Sequence, residues 1–66
     1  MWTVVYIAQN RPLADMLKEL LENEGVLTMM RPLGAPHLGA SGSVEILVPE
    51  SEIEQAHEII SSSFGD

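Results

Sequence analysis

Residues 10–25 constrain this chain more than any other stretch, because they read as one capped amphipathic helix held between two runs of strand character. Asn10 is an N-cap residue and Pro12 belongs in a first helical turn. Leu13, Met16, Leu17, Leu20 and Leu21 then recur at i, i+3, i+4, i+7 and i+8 before Gly25 supplies a stop. Asp15, Glu19 and Glu22 fall with Lys18 on the outer face, a solvated surface with weak charge pairs. Ahead of the helix, residues 2–8 are β-branched or aromatic in two registers, Trp2/Val4/Tyr6 and Thr3/Val5/Ile7, which predicts a strand apolar on both faces. Behind it, residues 26–31 are short, apolar and bounded by Gly25 and Pro32, which predicts a second strand with Met29 and Met30 on opposite faces.

A third strand is expected over residues 43–48. Its Val44/Ile46/Val48 face is cleanly apolar, whereas Ser43/Glu45/Leu47 is mixed and suits either water or a partner; Pro49 ends it. Ser51 and Glu54 have capping-box spacing, and Ile53, Ala56, Ile60 and Phe64 follow at helical intervals up to Gly65. The order β-α-β-β-α with a right-handed crossover gives an α+β domain, a three-stranded antiparallel sheet in the order 1-3-2 with both helices on one face. These are the first five elements of a ferredoxin-like fold. Without a sixth strand, strand 1 is a free edge and the sheet face opposite the helices is uncovered, with one apolar register of strand 1, Leu47 and Met29 or Met30 on it. Both features favour self-association, and a homodimer is expected.

Size supports that expectation. Sixty-six residues make one domain, residues 1–66, at a length where only about 60% of the unfolded chain's surface can be buried. With no cysteine, neither a disulfide nor a thiolate metal site staples the fold. Ten acidic against three basic residues, a net charge of -7, argue against nucleic acid as a partner, since phosphate backbones require clustered Lys and Arg. No apolar run approaches the roughly 20 residues of a membrane span, and the start lacks the charged opening of a signal peptide, so a cytoplasmic protein is expected.

The chemistry-bearing residues are few. Residues 31–43 bring three glycines, two prolines and a histidine between two strands. Connectivity gathers Asn10, Arg11, Arg31 and His37 at one end of the sheet, beside a helix N-terminus and the amides of Gly34, Gly39 and Gly42. That arrangement suits an anion such as phosphate or carboxylate. The glycine pattern matches neither a Walker A loop nor a dinucleotide fingerprint, and the other reading is a hairpin connection whose arginines pair with Asp66, the terminal carboxylate or solvent. Glu54 and His57 have the i, i+3 spacing of di-iron bundles, but one copy is not a ligand set, and His57 between Ile53 and Ile60 reads as bordering the core. Ser41 or Ser43 with His37 lacks an elbow or oxyanion motif, and Lys18 on a solvated face is unsuited to Schiff-base chemistry. No enzyme and no cofactor are expected.

The chain resembles a small bacterial family of signal-transducing proteins likened in fold to the PII nitrogen regulators. The resemblance rests on Val4-Val5-Tyr6-Ile7-Ala8-Gln9-Asn10, on the helix from Ala14 to Gly25, and on Val44-Glu45-Ile46-Leu47-Val48-Pro49-Glu50 before an acidic helix with Ala56. It implies a β-α-β-β-α domain with a regulatory role and lends no reaction. The chain is far shorter than PII proteins, and its one tyrosine, Tyr6, lies in strand 1 instead of a long loop, so nucleotide binding does not carry over. The expected function is a non-enzymatic regulatory or protein-interaction module that self-associates, with a candidate anion site at the glycine loop. The alternative is a domain that senses a small anion or nucleotide.

Overall fold

A computed structural model describes residues 1–33 and 42–64, the last by its backbone alone. Its elements are β1 (Trp2–Ala8), α1 (Arg11–Asn23), β2 (Met29–Pro32), β3 (Val44–Pro49) and α2 (Ile53–Phe64), the last entered through a 3-10 turn over Glu50–Glu52. The three strands form one sheet in the order β1-β3-β2, with β3 antiparallel to both neighbours. This is the β-α-β-β-α, α+β architecture expected.

Helix α1 starts and stops for local reasons. The Asn10 side chain accepts a hydrogen bond from the Leu13 amide at 2.9 Å. At the other end Gly25 adopts φ 89°, its amide donates to Glu22 O, and the Val26 amide reaches back to Leu21 O, each at 3.0 Å. This is a Schellman ending, with Val26 and Leu21 both buried as its apolar contact. An added Cβ at Gly25 meets nothing within 4 Å, so only the backbone conformation opposes a side chain there. We expect Gly25→Ala to cost about 1 kcal/mol, lowering the melting temperature by about 4–8 °C, and thermal denaturation measures it directly.

The core lies between the sheet and the helices. Ala14, Leu17 and Leu21 of α1 and Ala56 and Ile60 of α2 pack on Ala8, Val44, Ile46 and Val48. Leu13 and Leu20 flank the α1 stripe, but Met16 is 50% exposed. At 100° per residue it falls about 100° from Leu17 at the centre of the stripe, too far round to reach the sheet.

Three further boundaries differ from expectation. Residues 26–28 precede β2, because Val26 is held by the helix ending and the Thr28 hydroxyl donates to Val26 O at 2.9 Å. Ser51 sits inside the 3-10 turn, with Pro49 at the cap position, so α2 is not opened by a capping box. That turn is fixed by the Glu50 amide, which donates to Met1 O at 2.8 Å and prolongs the β1–β3 pairing.

The third concerns β1. Val4 pairs with Leu47 and Tyr6 with Ile46, leaving Val5 as an extra residue. The bulge puts Val5 and Tyr6 together on the core side. It also moves Ile7 to the side of Trp2 and Val4, away from the helices. Neither sequence register of β1 therefore survives whole.

Candidate functional site

The pairing places Ala8, Val44 and Pro32 in one row across the sheet, so β1 ends, β3 begins and β2 ends at the same edge. Arg11, the first residue of α1, and Arg31, one residue before Pro32, both belong to this end. They occupy different layers. Arg11 Nε donates to Asp15 Oδ1 at 3.3 Å on the helix surface. Arg31 lies across the strand from Glu45 on the sheet face away from the helices, with Nε and Nη2 on Glu45 Oε1 at 2.7 and 2.6 Å. The Glu45 side chain is only 15% exposed, whereas that of Arg31 is 61% exposed. A largely covered carboxylate is thus paired with a guanidinium that still offers donors to solvent.

At the helix start, Pro12 has no amide hydrogen and the Leu13 amide is taken by Asn10. Gly42 is half-buried beside Ser43, whose carbonyl accepts from the Leu33 amide at 2.8 Å and closes the β2–β3 hairpin. Gly34, His37, Gly39 and Ser41 lie outside the described residues. The carboxylate partners of both arginines escaped the sequence reading, which offered Asp66, the terminal carboxylate or solvent. Asp15 was legible as an i+4 neighbour of Arg11; Glu45 was not, because its position opposite Arg31 depends on the hairpin register.

Glu54 and His57 are both exposed on α2, so His57 does not border the core; Ala56 and Ile60 turn inward and Ile53 is half-buried. Among the described residues no group of three or more His, Asp or Glu side chains is placed to hold a metal ion. Lys18 Nζ pairs with Glu22 at 3.3 Å on the outer face of α1. A shallow groove of about 250 Å³ runs beside it, lined by Asp15, Glu19, Glu22, Asn23 and Met30 as well. No described helix is long and apolar enough to cross a membrane.

The larger feature is the open sheet face. Trp2, Val4 and Ile7 of β1 and Met29 of β2 are exposed there, at 41, 37, 54 and 37%. Between them Leu47 of the central strand is 2% exposed, although it stands apart from the helix-side core. Its neighbours across the sheet are Val4 and Met29, which flank it on either side.

Fold and site together define a small α+β domain in which, among the described residues, no helix lies on the apolar sheet face that carries Trp2, Val4, Ile7 and Met29, with two arginines at one end of the sheet. The chain belongs to the family described as "Putative prokaryotic signal transducing protein", whose family model matches residues 2–63. Neither the curated proteins nor the solved structures provide a match to it.

Proposed function

We propose that this protein is a non-enzymatic regulatory module that works by association, with itself first and through it with a protein partner, in a cytoplasmic bacterial setting. The observation that carries the reading is the open sheet face, where four large apolar side chains stay exposed around a buried leucine. Monomers seldom leave such a contiguous patch uncovered. The family's description ties it to signal transduction, which fits a module that binds instead of reacting.

A second reading, the sensing of a small anion, rests on the placement of Arg11 and Arg31 at the end of the sheet where residues 34–41 connect β2 to β3. An anion there competes with Asp15 and Glu45 for the guanidinium groups. Exposed ion pairs are worth about 0–1 kcal/mol, so the Arg11–Asp15 pair presents little barrier, while the better covered Glu45 holds Arg31 more firmly. Amide chemical-shift mapping with phosphate, nucleotides and small carboxylates tests this. Shifts confined to residues 10–14 and 31–43 and weakened by salt support an anion site using Arg11, Arg31, His37 and the amides of Gly34, Gly39 and Gly42. No response there, or one centred on α2, rejects the site and leaves the association module.

A further inference from the structure

The open face has an internal order that the bulge at Val5 creates. One row across the sheet reads Val4, Leu47, Met29, and the row toward the Ala8 end reads Ile7, Glu45, Arg31. The middle row is wholly apolar; the end row carries one acid and one base, already joined at 2.6 Å. The face is therefore neutral in a chain of net charge -7.

That neutrality is a matter of placement. Six of the ten acidic residues sit on α1, its C-cap Glu24 and α2, in the layer behind the sheet, and Glu50 and Glu52 lie in the 3-10 turn at the end of β3. Two copies that met through their helices would set these charges against each other. Two that meet through their sheets keep the acidic surfaces on the outside, separated by more than a Debye length of about 8–10 Å. An isologous contact also needs a surface complementary to itself, which an apolar row bordered by a matched charge pair satisfies.

We infer that the occupant of the open face is a second copy of this chain, stacked sheet on sheet about a two-fold axis parallel to β3, so that Val4 of one protomer rests on Met29 of its partner. The inference rests on the self-association proposed above and specifies its surface. Leu47 and, one row on, Glu45 lie on the axis, Ile7 of one protomer faces Arg31 of its partner, and the two Arg31–Glu45 pairs meet at that end of the face as a neutral cluster of four charges. Three strands and six residues give a face about 14 Å wide and 20 Å long. Such a face buries less than the roughly 800 Å² per partner of a standard interface, which places it in the class of weak or transient contacts.

Two measurements on the full chain test the geometry. In a mixture of isotope-labelled and unlabelled protein, filtered nuclear Overhauser spectra should connect the Val4 methyls of one protomer with the Met29 methyl of the other. In sedimentation, Val4→Lys and Ile7→Lys should each raise the dimer dissociation constant by about 100-fold or more while circular dichroism keeps the wild-type signature. A wild-type dimer that lacks the Val4–Met29 contacts and is unmoved by both substitutions overturns the stacked face while leaving self-association, through the β1 edge, in place. A wild-type monomer at high micromolar concentration overturns both.

Discussion

Leu17→Ala should remove most of the domain's stability. Leu17 is fully buried at the centre of the α1 stripe, and truncating such a leucine costs about 2–5 kcal/mol, because the cavity it leaves closes only in part. A chain of this length has about 3–10 kcal/mol in all, at the usual stability per residue. The melting temperature should therefore fall by about 8 °C or more, at about 4–8 °C for each kcal/mol. Met16→Ala, one position earlier and half exposed, should change stability by less than about 0.5 kcal/mol. Thermal denaturation of the two variants side by side makes the comparison; equal losses would mean that α1 faces the sheet in a different rotation.

Leu47→Ala should cost about 2–3 kcal/mol, although no helix covers it. Leu47 is 2% exposed between Val4 and Met29 on the neighbouring strands, so truncation opens a hollow in the face and loosens the row on which a second copy rests. The effect has a signature that Leu17→Ala lacks. For a chain that dimerises through this face, the melting temperature rises with protein concentration, and Leu47→Ala should flatten that rise as well as lower the curve. A wild-type melting temperature independent of concentration, together with a loss below about 0.5 kcal/mol in the variant, would mean that Leu47 is neither packed nor part of an interface.

The elements were legible in the sequence wherever a local rule was enough to set them. Asn10 and Gly25 bound α1 through hydrogen bonds that involve only nearby residues, and the alternation of Val44, Ile46 and Val48 fixes which face of β3 meets the helices. The bulge was not legible, because Val4, Val5, Tyr6 and Ile7 are all large and apolar and give a period of two no phase to hold. The start of α2 followed from the same kind of ambiguity: Pro49 and Ser51 both suit a helix entrance, and the pairing of Glu50 with Met1, far away in sequence, decides for the 3-10 turn. His57 was misread because two isoleucines at i-4 and i+3 suggested a core face that in fact centres on Ala56 and Ile60.

The site followed the same division. Connectivity was enough to bring Arg11 and Arg31 to one end of the sheet, but a sequence has no way to show that Arg31 stands on the open face against Glu45, since residues 33–43 leave the register of the hairpin undetermined. The open face itself was foreseen from the missing sixth strand and the second apolar register of β1. Its composition was not, for the bulge draws Trp2 and Val4 from one register and Ile7 from the other.

Sedimentation equilibrium of the wild-type chain, from about 10 µM to about 500 µM, addresses the claim that the open sheet face is an association surface. The account predicts a weight-average mass that climbs with concentration from 7.2 kDa toward twice that value. A mass that stays at 7.2 kDa across the range would contradict it.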